Sequence, residues 1–248
     1  MKPAPIDYDT VREMLRTATP DRVLRFIGKS HPADIALLFK GLDSSEVRQL
    51  FDVLFSSRRA AKTLKELPFE LLPDILALID DEKVGRLIVR ADPDEAVTFI
   101  DSLPDERRER IMALLDPERR AAVREIINYP EGTVGRLMTT DFMALPPDAT
   151  AQGAIDKIRE RGELESFFYL YVVDNDGKLV GVVPIRNLVI APPARELRDM
   201  MIADPIKADV FMDQEDAARI VAKYELLALP IVDEGGRLEG IITVDDVI

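Results

Sequence analysis

The chain contains no cysteine and no tryptophan, one histidine (His31), and only 6% aromatic residues in 248. Without cysteine there can be no disulfide and no thiolate metal site. With a single histidine as well, the nucleophile–base pairs of covalent catalysis are scarce, and no Gly-x-x-x-x-Gly-Lys sequence occurs to cradle a phosphate. No apolar run approaches the roughly 18 residues that a membrane-spanning helix requires, and no secretory leader is visible, so the chain reads as soluble and intracellular. Positive charge is also short: 33 Lys and Arg stand against 46 Asp and Glu, a net charge of −13. The deficit is uneven, −3 over residues 1–127 and −10 over residues 128–248. Nucleic acid is a poor partner for such a second half, and a cation is a better one.

What is present is repetition. A hydrophobic content of 47% is ordinary for globular protein, and the length suits two domains with separate cores. Leu229–Val232, the turn Asp233-Glu234-Gly235-Gly236 and the return run Leu238–Val244 read as a hairpin followed by a helix start, with Thr243 and Asp245 or Asp246 available as caps. The same pattern stands 59 residues upstream, where Asp174, Gly177, Leu179 and Gly181 match Asp233, Gly236, Leu238 and Gly240. Duplicated units this close in sequence are expected to pack together and bury a shared face.

The first half repeats on a shorter period. Residues 1–31 suggest one or two short helices, from the capping-box pattern Thr10-Val-Arg-Glu13 and from Thr19-Pro20. Pro32, Ser44, Ser56, Pro68, Asp80, Asp92, Pro104 and Asp116 then fall every twelve residues, each a plausible helix opener. Seven positions after each come Phe39, Phe51, Thr63, Ile75, Leu87, Phe99, Ile111 and Val123, apolar in all but one. Short helices each burying one stripe predict an all-α superhelical domain over residues 1–127. His31, before Pro32, reads as a cap or surface residue, and Arg107-Arg108-Glu109-Arg110 with Arg119-Arg120 read as solvated helix faces.

Asn128–Gly135 breaks the period and reads as the core of a linker over 128–136. Strands then alternate with helices: a strand near Phe142–Leu145, a helix near Thr150–Arg161, strands at Phe168–Val173 and Leu179–Val183, and a helical turn at Ile185–Ile190. The series restarts at Met200-Met201 with a strand near Ile206–Phe211 and a helix at Gln214–Tyr224. The copies occupy 137–190 and 200–248, joined by 191–199, the first being longer around Gly162–Phe167. The aromatic run Phe167-Phe168-Tyr169 with Tyr171 is simplest as strand core.

These paired units resemble a tandem of cystathionine-β-synthase (CBS) domains, an α/β Bateman module. The helical repeat, followed by Tyr129-Pro-Glu-Gly-Thr-Val-Gly-Arg-Leu-Met-Thr139 and closing on Gly240-Ile-Ile-Thr-Val-Asp-Asp-Val247, resembles the cytosolic region of MgtE-type magnesium transporters. The resemblance implies a non-enzymatic gate on the cytoplasmic side of the bacterial inner membrane, homodimeric through its CBS units and joined to a membrane domain. It also implies that the chain, stopping at Ile248, is a fragment. A soluble CBS adaptor sensing adenine nucleotides is the alternative.

In that family, acidic residues of the two domains bind Mg2+ at their interface and near the membrane domain. Carried onto this chain, the ligands are Asp94, the Gly135 carbonyl, Asp213, Glu215, Glu225 and Asp246; Glu225 stands where an aspartate is familiar. Magnesium takes oxygen ligands and typically one or two carboxylates per site, so such sites would be assembled between elements. Asp at a helix start is equally a favourable cap. Two carboxylates about 5 Å apart repel by roughly 3 kcal/mol at an effective dielectric near 20, which a divalent ion would relieve. CBS pairs also bind adenosine ligands through a Gly-h-h-Thr/Ser-x-x-Asp pattern, h being apolar. The second copy keeps it in Gly240, Thr243 and Asp246. The first has Pro184 and Asn187 instead, which leaves Tyr169, Arg186 and Asn187 as the candidate ATP contacts.

Overall fold

The computed structural model describes residues 7–68, 70–161 and 168–247, and the chain divides into two compact units, residues 1–123 and 124–248. In the first unit helices α1 (Tyr8–Thr17), α2 (Pro20–Ile27), α3 (Pro32–Ala36), α4 (Ser44–Ser56), α5 (Ala60–Lys65), α6 (Leu72–Ala77), α7 (Asp81–Arg90), α8 (Pro93–Asp101) and α9 (Asp105–Leu114) follow in order. Helix α10 (Pro117–Ile127) comes next along the chain. All eight residues at the seventh position of the period, Thr63 among them, are buried. The openers are less regular. Asp80, Asp92 and Pro104 are N-caps, and Pro32 and Ser44 are first residues of their helices.

Two openers fail. Ser56 is the last residue of α4, its hydroxyl turned back onto the Asp52 carbonyl at 2.7 Å, and Pro68 lies four residues before α6. The burial stripe survives because a turn at 57–59 and a six-residue α5 restore the register at Thr63. The Thr10 capping box does not form either. The helix begins three residues earlier behind Asp7, whose carboxylate accepts from the Thr10 hydroxyl inside the first turn. Thr19 is an N-cap with Pro20 at the first helical position, and His31 caps α3 by accepting from the Ala33 N–H at 3.2 Å.

The arginine faces differ from their sequence reading. Arg107 donates to the Leu76 and Ile79 carbonyls at the end of α6, and Arg119 donates to the Ile88 and Ala91 carbonyls at the end of α7. The two interactions are one twelve-residue step apart. Arg59 does the same for α2 through the Ile27 and Ser30 carbonyls. These guanidiniums donate to carbonyls at helix C-termini, of which Ile27 and Leu76 also accept a backbone N–H, and they oppose the negative end of the helix dipole. The alternating charges concealed a half-buried capping system.

The second unit contains α11 (Val134–Leu137), β1 (Ala144–Leu145), α12 (Ala151–Arg161), β2 (Tyr169–Val173), β3 (Leu179–Pro184), α13 (Ile185–Ile190), β4 (Ile202–Ala203), β5 (Ala208–Asp209), α14 (Gln214–Tyr224), β6 (Ala228–Val232), β7 (Leu238–Thr243) and α15 (Val244–Val247). The extended stretch expected at Ile206–Phe211 narrows to β5, because the Asp209 carboxylate accepts from the Phe211 N–H and turns the chain. The extra residues of the first copy, 162–167, lie outside the described residues.

One sheet has the order β1-β2-β3-β4 and the other β5-β6-β7. In each, the first strand is parallel to the second and a hairpin follows. Gly177 and Gly236 take φ of +79° and +81° in the two hairpin turns. The edges are exchanged between copies. β4, from the start of the second copy, pairs with β3 of the first, while Thr139, from the start of the first, bridges to Ile241 in β7. The close approach needs glycine: a Cβ at Gly240 would come 2.7 Å from the Met138 sulfur, and one at Gly181 would come 2.5 Å from the Met201 sulfur. Between the sheets Tyr171, Leu179 and Val182 of one copy pack with Val232 and Ile241 of the other, the shared face that the duplication predicts.

Candidate functional site

The acidic site begins at α8. Asp92 is its N-cap, Pro93 fixes the first turn, and Glu95 reaches back to accept from the Asp92 N–H at 3.0 Å, completing a capping box. This folds Glu95 inward to 5% exposure and leaves Asp94 at the helix mouth, 14% exposed. Lys65, at the end of α5, brings its Nζ to 3.6 Å from the Asp94 carboxylate. Burial pushes the Glu95 carboxyl up to about 7, assisted by Asp92 and Asp94 and opposed by the Asp92 N–H and Lys65. Burial lowers the nearby Arg119 guanidinium, against the pull of Asp92, Asp116, Asp94 and Glu95. Three acids thus share one helix start with a lysine and a half-buried arginine. Lys65 did not stand out in sequence, and Arg119 read only as part of a solvated helix face.

In the second unit the remaining candidates spread over α11, α14 and the end of β7. The Gly135 N–H donates to the Val210 carbonyl at 2.9 Å, and Thr133 bridges to Asp213, so the α11 turn is anchored beside the start of α14. Asp213 is the N-cap of α14 and accepts from the Glu215 N–H at 2.8 Å. Glu215 is exposed and forms an ion pair with Arg219 at 3.2 Å. Glu225 ends the same helix with φ of 52°, in the left-handed region that favours glycine. Eleven residues separate these two ends, about 16 Å of helix, so Asp213 and Glu225 cannot ligate one ion. Asp246 accepts from the Thr243 N–H at 3.3 Å and from its hydroxyl, half of a capping box at the start of α15. Among the described residues no three His, Asp or Glu side chains gather as a metal cage.

A further concentration of acid surrounds Tyr129. Burial raises its hydroxyl pKa, and Glu239, Glu125, Asp233 and Asp209 add to the shift. Arg136, beside Gly135, donates to the Ile127 and Tyr129 carbonyls and so caps the end of α10.

The second site is a cavity of about 160 Å³ between the two copies of the repeated α/β unit. Tyr169, Tyr171 and Val182 come from the first copy, Leu226, Ala228 and Pro230 from the second, and Ile202, Pro205 and Ile206 from the crossing segment. Tyr169 pairs with Pro184 across the sheet, and Arg186 and Asn187 follow on α13 without lining the cavity. In the other copy Ala228 pairs with Thr243, three residues before Asp246. The two copies therefore present corresponding ends, one with Asn187 and one with Asp246. Tyr171 is 2% exposed, as expected of strand core, and Phe168 is 36% exposed; Phe167 lies outside the described residues. The apolar wall from the second copy carried no motif by which it could be found.

Residues 30–132 match the MgtE intracellular N domain, and residues 134–193 and 197–248 match the CBS domain. Two solved structures superpose on nearly the whole chain. The soluble part of a magnesium transporter does so with a TM-score of 0.88 and 26% identity, covering 97% of this chain and 94% of that one. The cytosolic domain of the Mg2+ channel MgtE in complex with ATP does so with a TM-score of 0.89 and 28% identity, covering 97% and 98%. The chain belongs to the MgtE family. The magnesium transporter MgtE of Bacillus subtilis is 30% identical over 90% of this chain and 49% of its own length. That of Thermus thermophilus is 30% identical over 96% and 54%. The chain thus spans about half the length of these MgtE relatives. No described helix is long and apolar enough to cross a membrane.

Proposed function

We propose that the chain is the magnesium-responsive, non-enzymatic gate of an MgtE-type transporter, acting on a membrane domain from the cytoplasmic side. The observation that carries this reading is the likeness of the chain, over 97% of its length, to the cytosolic domain of a magnesium channel. Mg2+ would bind at Asp94, the Gly135 carbonyl, Asp213, Glu215, Glu225 and Asp246, distributed over more than one site. Each site would use one or two carboxylates, as a hard, largely hydrated ion prefers. At low Mg2+ the acids of the two units repel. Bound ions quench that repulsion and favour a closed state, and about 5.5 kcal/mol of differential binding would convert a mostly open population to a mostly closed one. Exposed Val189 and Ile190 on α13 support assembly into a homodimer through the CBS copies. Calorimetric titration with MgCl2 tests the reading: native chain should bind, while Asp94→Ala and Asp246→Ala should each lose part of the heat. Unchanged isotherms in both variants would overturn the assignment.

A nucleotide role at the CBS cavity rests on Tyr169 and on the ATP complex of the relative. ATP would stack on Tyr169, with Arg186 at its phosphates and Asn187 giving a neutral contact to the ribose. Equilibrium dialysis with ATP should show binding that Tyr169→Ala and Arg186→Ala weaken; equal retention by both variants would exclude this cleft.

A further inference from the structure

The helical unit holds a groove that neither the magnesium nor the nucleotide reading uses. Helix α4 closes with two tight bonds: the Arg58 N–H donates to the Phe55 carbonyl at 3.2 Å and the Arg59 N–H to the Leu54 carbonyl at 2.9 Å. This closure places Arg58 at φ of 60°, a position that glycine fills without strain. An arginine there carries a side chain that the turn itself does not need. Beside it Phe55, Ala60, Ala61 and Leu87 form the apolar lining of a groove of about 300 Å³, which Arg58 and Arg90 complete. Arg90 is held in place, its guanidinium carbon 4.8 Å from the centre of the Phe55 ring and its Nη1 3.5 Å from the Phe55 carbonyl.

Neither guanidinium forms an ion pair with a carboxylate among the described residues. Arg16, Arg86 and Arg110 of this unit do, with Glu46, Glu82 and Asp81, while exposed Arg25 and Arg48 are spread singly and donate to the Asp21 and Leu78 carbonyls. In a chain of net charge −13, two uncompensated cations at one apolar hollow run against the prevailing charge. The volume falls at the lower end of the range for small-molecule sites. Guanidinium groups match the oxygens of phosphate and carboxylate in geometry as well as charge. We propose that this groove binds a small organic oxyanion, its phosphate or carboxylate held by Arg58 and Arg90 and its apolar body resting on Phe55 and Leu87.

The experiment follows amide resonances of the full chain during titration with phenyl phosphate, phenylacetate, inorganic phosphate and benzyl alcohol. Phenyl phosphate or phenylacetate should shift residues around 55–61 and 87–90, and whichever acts more strongly identifies the anionic group. Inorganic phosphate, lacking the apolar body, and benzyl alcohol, lacking charge, should each bind about tenfold more weakly or worse. Arg58→Gly removes the cation while relieving the backbone, so it should fold at least as stably and still lose about tenfold in affinity. Arg90→Met should lose a similar factor. If neither aromatic anion shifts these resonances, or if Arg58→Gly and Arg90→Met bind as the native chain does, the proposal is overturned.

Discussion

Glu95 shows how a capping role can create a titration near neutral pH. Its carboxyl must turn inward to reach the Asp92 N–H, and burial then pushes it up to about 7 from an ordinary 4.5. Between those values the folded chain keeps a proton that the unfolded chain has released. The stabilisation is therefore complete below about 4.5 and is lost as pH rises through 7. The size of that loss is about 3 kcal/mol. Glu95→Gln keeps an oxygen for the Asp92 N–H and should flatten the decline in urea midpoint between pH 5 and pH 8. An equal decline in both proteins would place its source elsewhere. Thr63 is a simpler case. It stands where the period has an apolar residue in every other unit, and its buried hydroxyl has no hydrogen-bond partner among the described residues. Thr63→Val should raise stability by about 1 kcal/mol, measured by urea unfolding of the full chain. A loss of stability would mean that the hydroxyl is satisfied in solution.

At the scale of elements, the arginines that close helix ends should outweigh those that only decorate a surface. Arg107→Ala or Arg119→Ala leaves two carbonyls without their charged donor and should cost about 2 kcal/mol. Arg110→Ala removes an exposed ion pair and should stay within about 0.5 kcal/mol; equal losses would refute the capping role. This distinction was not legible in the sequence, because Arg107 and Arg110 sit in one charged run. What separates them is a pair of carbonyls 28 and 31 residues back, brought close only by the winding of the chain. The burial stripe was legible because it depends on local spacing, whereas the openers at Ser56 and Pro68 misled because α4 runs one turn long. Glu225, closing α14 at φ of 52°, offers a test of a different kind. Glu225→Gly relieves the turn and should stabilise the chain by about 1 kcal/mol. If Glu225 is a ligand, the same variant should bind Mg2+ more weakly, so stability and calorimetry would move in opposite directions.

For the molecule as a whole, likeness between the CBS copies revealed their number and their hairpins but not which sheet each first strand enters. Matched residues such as Met138 and Met201 occupy equivalent places whether the edges stay home or cross over. The candidate cleft was half visible for the same reason: Tyr169 belongs to a recognisable strand, but Ile202 and Pro205 reach the cavity only through the crossing. The exchange also governs what happens when the chain is severed. A protease acting at the exposed stretch Pro192–Ala194 would release no free half, since each fragment keeps the border strand that its neighbour's sheet requires. The nicked protein should elute as one particle in native gel filtration and come apart only in denaturant. The two pieces, prepared separately, should recover order only on mixing.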